Sequence, residues 1–173
     1  MNFENYSDSR EKERPAVSDK LMYFEDFAIG DTFESPGRTV TETDLVIFSG
    51  LSGDHNELHT DEEFMKKTQF GRRIAHGLLG LAIQSGLGAR AQSAPTATIA
   101  FLGIKEWNFK APIFIGDTIH LKMTVAELRR SQSGDRGILT WKRELINQRS
   151  ELVQEGFTAS LINARNPSAV ATK

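Results

Sequence analysis

The pattern of apolar and polar positions divides the chain into two halves of different texture. Residues 21–93 read as helix and loop. Thr41-Glu42-Thr43-Asp44 precedes an apolar run of Leu45, Val46 and Phe48, the signature of a capped helix start. That run ends at Ser49-Gly50 and Ser52-Gly53. Thr60-Asp61-Glu62-Glu63 repeats the signature, with Thr60 at the cap and Glu63 three positions on, ahead of a short helix through Phe64. A third helix is predicted to begin near His76-Gly77 and to run to about Ala91. It is apolar nearly all round (Leu78, Leu79, Leu81, Ala82, Ile83, Leu87), which marks a helix buried on all sides. It also carries Gly80, Ser85, Gly86 and Gly88. Glycine disfavours helix by about 1 kcal/mol each, so these positions imply other backbone packed close against it.

Residues 97–164 read as strand. Ile119, Leu121, Met123 and Val125 alternate with His120, Lys122 and Thr124, the period of a half-buried strand. Leu139, Trp141 and Leu145 repeat the pattern, and Val153, Phe157, Ala159 and Leu161 repeat it again. Asn147-Gln148-Arg149-Ser150 is a polar turn, so the strands on either side form an antiparallel hairpin. Thr96 to Phe109 is a further strand, and Pro112 with Gly116-Asp117 marks the connection onward. Residues 31–40 are a candidate fifth. A helix that needs covering and a sheet with one apolar face satisfy each other when the sheet wraps around the helix. Pattern alone leaves this as one α+β arrangement among several.

Composition narrows the class. At 173 residues one domain is expected. Residues 1–20 are polar and charge-mixed and are expected to be disordered or loosely docked. Residues 166–173 read as a flexible tail, which leaves 21–165 as the domain. Lys and Arg number 21 against 23 Asp and Glu, a net charge of -2. That balance offers no electrostatic footprint for nucleic acid or an anionic membrane. With no cysteine, disulfide scaffolds, Cys-ligated metals and thiol catalysis are excluded. No apolar run approaches the roughly 20 residues that span a bilayer. The first residues, MNFENYSDSREKERP, have no apolar core to act as a secretory signal. A cytoplasmic location is expected.

The segment Ser52-Gly53-Asp54-His55-Asn56-Glu57-Leu58-His59-Thr60-Asp61 carries the first chemical signal. Asp54 and His59 stand on either side of a turn and can face one cleft, where a carboxylate and an imidazole sharing a water form a general acid/base pair. The same residues also suit a bland role, Asp54 and Asn56 as Asx turns and His59 as a polar residue ahead of a helix cap. A metal site is not expected. His55 and His59 are four apart, but the string H-N-E-L-H lacks the Glu that must follow the first His of H-E-x-x-H. The second signal is Gly71-Arg72-Arg73-Ile74-Ala75-His76-Gly77-Leu78-Leu79, followed by Ser85. Gly77 at a helix start offers a free N–H at the positive end of the helix dipole, suited to a carbonyl oxygen that gains negative charge. Close packing explains Gly77 equally, and His76 also suits a core or cap position.

Taken together, D-H-N-E-L-H at 54–59 and R-I-A-H-G-L-L at 73–79, with Ser85 beyond, resemble the MaoC-like dehydratases, or (R)-specific enoyl-CoA hydratases. F-E-D-F-A-I-G-D at 24–31 and W-N-F-K-A-P-I-F-I-G-D at 107–117 are similar to the same family, in the same order. The resemblance implies an α+β hot-dog fold, an antiparallel sheet curled around one long helix. It places the hydratase pair on Asp54 and His59, the oxyanion amide on Gly77, and supporting positions on Asn56 and Ser85. Ser85 is eight residues past Gly77, about 80° beyond two full turns, so the two need not face one point. One departure is Glu57, where the family usually has proline, which stiffens a loop.

The implied reaction is reversible hydration of a trans-2-enoyl-CoA to an (R)-3-hydroxyacyl-CoA, with no metal or redox cofactor and coenzyme A only as part of the substrate. Arg72 and Arg73, beside His76, are candidate substrate-binding residues for its phosphates, with Lys105 and Lys110 weaker ones; a solvated surface charge is the alternative for each of the four. A curled sheet over one helix leaves an edge and an open face, which predicts a homodimer or higher homo-oligomer. In the family the substrate tunnel lies at that interface. Two other functions compete. A hot-dog thioesterase more often presents a lone carboxylate than an Asp…His pair. A non-catalytic acyl-CoA-binding regulator generally appends a DNA-binding domain, for which residues 1–20 are too short.

Overall fold

The structure is a computed structural model that describes residues 21–92 and 94–165; the expectations for residues 1–20 and 166–173 lie outside the described residues. Two short strands, β1 (Thr32–Glu34) and β2 (Arg38–Thr39), stand where one was expected. Helix α1 (Glu42–Ser52) follows, then two single-turn helices, α2 (Glu57–Thr60) and α3 (Glu62–Met65), and the long α4 (Gly77–Ala91). Four long strands complete the domain: β3 (Thr98–Phe109), β4 (Thr118–Arg130), β5 (Arg136–Asn147) and β6 (Leu152–Asn163). The antiparallel sheet runs β1-β4-β5-β6-β3, and β2 also pairs with β4. This is the hot-dog arrangement that the resemblance implies.

Local chemistry explains the helix ends. Thr41 and Asp44 form the predicted reciprocal cap of α1, and Gly53 closes it in the left-handed conformation at φ 74°. The second cap shifts by one residue. Asp61, not Thr60, caps α3, its Oδ1 accepting from the Phe64 N–H at 2.8 Å. A carboxylate suits that place because it also complements the helix dipole. Thr60 instead closes α2, donating its hydroxyl to the carbonyls of His55 and Asn56 at 3.1 Å each.

The core joins Leu79, Ile83 and Leu87 of α4 to Ile119, Leu121, Met123 and Val125 of β4 and to Leu139, Trp141 and Leu145 of β5. The alternation read in β4 is the alternation observed. Three expectations change. First, α4 is not buried on all sides. Its buried stripe is Leu79-Gly80, Ile83-Gln84 and Leu87-Gly88, while Leu78 is 60% exposed. Second, Gly80 and Gly88 make room for side chains rather than backbone, and a Cβ on Gly86 would meet nothing within 4 Å. A Cβ on Gly80 would strike the Gln154 amide, and one on Gly88 would lie 2.6 Å from Arg143 Nη1. Third, the faces of β6 are the reverse of the reading. Leu145 pairs with Gln154 but Ile146 with Leu152, so Val153 is an extra residue, a bulge. Val153 and Gln154 are both buried, and beyond them Gln154, Gly156, Thr158, Ser160 and Ile162 point inward. Phe157, Ala159 and Leu161 therefore lie on the other face. One inserted residue exchanges every side chain between faces because the strand period is two.

Candidate active site

The loop after α1 is held by its own side chains. Asp54 accepts the Asn56 N–H at Oδ1 (3.2 Å), and Asn56 caps α2 by accepting the Leu58 N–H (3.0 Å). Asx turns and a shared site thus coexist here. Glu57 is the first residue of α2, the position that tolerates proline, and its charge suits the helix N-terminus. The departure from proline leaves the cap intact.

His59 lies in α2 rather than in open loop, and it is buried. Its Nδ1–H donates to the Ile74 carbonyl at 2.8 Å, while the Ile74 N–H donates to the Leu58 carbonyl at 3.1 Å. This pair of bonds fixes the ring and leaves Nε2 as its nitrogen without a protein partner among the described residues. Asp54, His59 and His76 each bring one polar atom within 4.8 Å of the others. The two imidazoles stack, with centroids 3.7 Å apart and planes inclined by 28°.

His76 is the residue before α4 and is buried behind His59. Its Nε2–H donates to the Asp54 carbonyl at 3.0 Å, with the Ser49 hydroxyl at 3.4 Å. Its Nδ1 is sealed from solvent without a partner among the described residues. Burial is the main cause that lowers its pKa below 6.5, helped by the neighbouring His59 and His55 and opposed by the Asp54 carbonyl and carboxylate. The ring is therefore neutral near pH 7. It ties the Asp54 loop to the start of α4 and supports the His59 ring, a task different from the substrate contact expected of it.

An ion shared by the two imidazoles would have to lie in both ring planes. Stacked rings with centroids 3.7 Å apart and planes inclined by 28° have planes that meet well beyond a metal–nitrogen bond of about 2 Å. His55, half of the spacing weighed for a metal, is not in the group.

Gly77 opens α4. A side chain there would meet the Phe109 ring at 2.8 Å, and the Gln154 amide donates to the Gly77 carbonyl at 3.0 Å. Trp107 in turn donates to Gln154 Oε1 at 3.2 Å. The Gly77 N–H has no backbone acceptor among the described residues. His59 and Gly77 line one cleft of about 560 Å³ with Phe70, Leu78, Phe109, Lys110 and Gln154. The lining is mostly apolar, with few converging polar groups, the usual composition of a small-molecule site.

The other expected residues part from this cleft. Ser85 lines a separate cavity farther along α4. Arg73 donates through Nη1 and Nη2 to both oxygens of Glu42 (2.8 and 2.7 Å) and through Nε to Glu62 (3.0 Å), so its fork is occupied in joining α1 to α3. Arg72 is exposed, its guanidinium 4.1 Å from the Phe114 ring centre. Lys105 pairs with Glu106, and Lys110, on the cleft, pairs with Glu155. Gln154 and Trp107 were missed. The polar residues at alternate positions of β6 were the available signal, hidden by the bulge.

The MaoC like domain family matches residues 26–143. The 3-hydroxybutyryl-CoA dehydratase of Methylorubrum extorquens is 38% identical over 110 residues, 63% of this chain and 67% of that protein. The (R)-specific enoyl-CoA hydratase of Rhodospirillum rubrum is 38% identical over 108 residues, covering 62% of this chain and 72% of that one. Among solved structures, the monoamine oxidase regulatory protein from Archaeoglobus fulgius superposes with a TM-score of 0.78 at 42% identity, over 84% of this chain and 97% of that one. With its sheet curled around α4 and its cleft at the start of that helix, the chain belongs to the MaoC-like domain family.

Proposed function

We propose that this protein adds water reversibly across the C2=C3 bond of a trans-2-enoyl-CoA to give an (R)-3-hydroxyacyl-CoA. The carrying observation is the Nε2 of His59, which has no partner among the described residues, at a cleft that also holds the Gly77 N–H, with an Asp54 carboxylate oxygen within 4.8 Å of a ring nitrogen of His59. The thioester oxygen accepts from the Gly77 N–H at the positive end of α4, where negative charge builds as water attacks C3. Losing one donor of this kind typically costs about 3–4 kcal/mol. Water sits between Asp54 and His59. Because Nδ1–H is committed to Ile74, His59 exchanges protons through Nε2. The pair takes one proton from the water and returns one to C2, so the addition balances with acid/base groups alone. The names of the two relatives above, a dehydratase and a hydratase of CoA thioesters, support this reading. We assign the phosphates of coenzyme A to Lys110, on the cleft, and to the exposed Arg72.

The reading includes a second copy of the chain. β3 is a twelve-residue edge strand that exposes Ile99, Phe101, Leu102, Ile104 and Phe109. So long an apolar edge calls for cover. Its last residue, Phe109, packs against Gly77, so a partner along β3 borders the cleft. The test incubates the purified protein with crotonyl-CoA and follows products and free thiol together. Appearance of (R)-3-hydroxybutyryl-CoA without free thiol is expected. Free thiol in its place contradicts the hydratase reading and favours thioester hydrolysis.

A further inference from the structure

Arg143 is the cation that the proposed chemistry leaves unused. It projects from the inner face of β5 between Trp141 and Leu145 toward α4, in the space that Gly88 leaves by lacking a side chain. Its Nε donates to the Thr158 hydroxyl at 2.7 Å and its Nη1 to Gln84 Oε1 at 2.9 Å. Both acceptors are neutral. Among the described residues no carboxylate pairs with Arg143, whereas Arg73 and Arg149 each hold two. Burial lowers its pKa to about 10, so it remains a cation near pH 7. A half-buried guanidinium without a counter-charge is unfavourable. The fold nevertheless keeps this one, and aims it at a cavity of about 270 Å³ lined also by Ser85, Gln92, Thr98, Trp141 and Ser160.

We propose that this cavity binds a carboxylate, and that the carboxylate is the far end of the substrate's acyl chain. The inference rests on the hydratase reading above and names its substrate class: medium-chain enoyl thioesters that end in a carboxylate. The planar fork of Arg143 presents Nη2, which has no protein acceptor among the described residues, and the hydroxyls of Ser85 and Ser160 add donors. The reach is right. Ser85 lies eight residues along α4 from Gly77, about 12 Å, a span for an extended chain of medium length. The strand that runs between the two sites is polar on its inner face as well. Gln154, Gly156, Thr158 and Ser160 face inward along β6 from the Gly77 carbonyl to the cavity, with the Trp107 ring against Gly156. A site for a fatty chain gains nothing from these groups, whereas a chain with a charged end is recognised by them.

The test measures kcat/KM of the full-length protein for trans-2-octenedioyl-CoA and for trans-2-octenoyl-CoA, equal in length and different only at the far end. A preference for the diacid of about ten- to a hundredfold is expected, the range of a hydrogen bond to a charged group. Arg143→Met should bring the diacid-to-monoacid ratio to one or below, and Arg143→Lys should keep part of it. Should these variants fail to fold, the wild-type ratio decides alone. Equal rates, or a preference for the monoacid, overturn the proposal. So does hydration of crotonyl-CoA with neither longer thioester accepted, because the chain path is then wrong while the hydratase reading stands. Failure with all three thioesters falls on the hydratase reading and takes this proposal with it.

Discussion

β4 and β6 flank β5 on either side, and both turn a face toward α4, yet those faces are chemically opposite. β4 presents Ile119, Leu121, Met123 and Val125, all fully buried and apolar. β6 presents Gln154, Gly156, Thr158 and Ser160. The first face is what a core requires. The second contains groups that must each find a partner or lose stability, and the partners they find are the Gly77 carbonyl, Trp107 and Arg143. One strand builds the frame and the other serves the helix end and cavity where chemistry is proposed.

The comparison breaks first at Leu121. Truncating Leu121→Ala in β4 should cost about 2–5 kcal/mol of unfolding free energy, measured by urea denaturation, with turnover per folded molecule unchanged. A loss of turnover at constant stability would show that β4 is more than frame. Gln154→Leu in β6 should cost less stability, about 1–3 kcal/mol, because it strands the Gly77 carbonyl bond and the Trp107 N–H. It should also slow hydration, since it loosens the start of α4. Unchanged turnover would reduce Gln154 to packing.

That contrast also explains how much the sequence disclosed. The strict alternation of β4, the reciprocal cap at Thr41 and Asp44, and the start of α4 at Gly77 are local signals, and each was legible. The proximity of Asp54 and His59 was legible because they share one short segment. The inward face of β6 was not, since the bulge at Val153 depends on its pairing with β5. His76 was named, but its role depends on its stack with His59 and its bond to the Asp54 carbonyl. Arg73 was one candidate for a phosphate and equally a surface charge, and the sequence could not show that Glu42 and Glu62, distant along the chain, occupy its fork. Arg143 carried no local signal at all.

The smallest expected effect concerns acid. Burial chiefly lowers the His76 pKa, so the folded state favours the neutral ring. Its contribution is complete above the unfolded value of 6.5 and is lost as pH falls below that value toward the folded one. Unfolding free energy should therefore decline as pH falls below 6.5, and His76→Asn should flatten the slope. For Asp117 burial acts upward, but bonds from Arg149, Gln148 and the Phe114 N–H outweigh it and lower the pKa from 3.8, so its loss falls at more acid pH. An identical slope in His76→Asn would contradict the neutral buried ring.

The central claim is that Asp54 and His59 activate water at the start of α4. The most direct measurement follows the loss of enoyl absorbance of crotonyl-CoA with the wild-type protein and with Asp54→Asn, both shown to be folded. The account predicts hydration by the wild type and a fall of about 10²–10⁴-fold in the variant, the contribution of a positioned acid/base group. Hydration that proceeds equally in Asp54→Asn would contradict it.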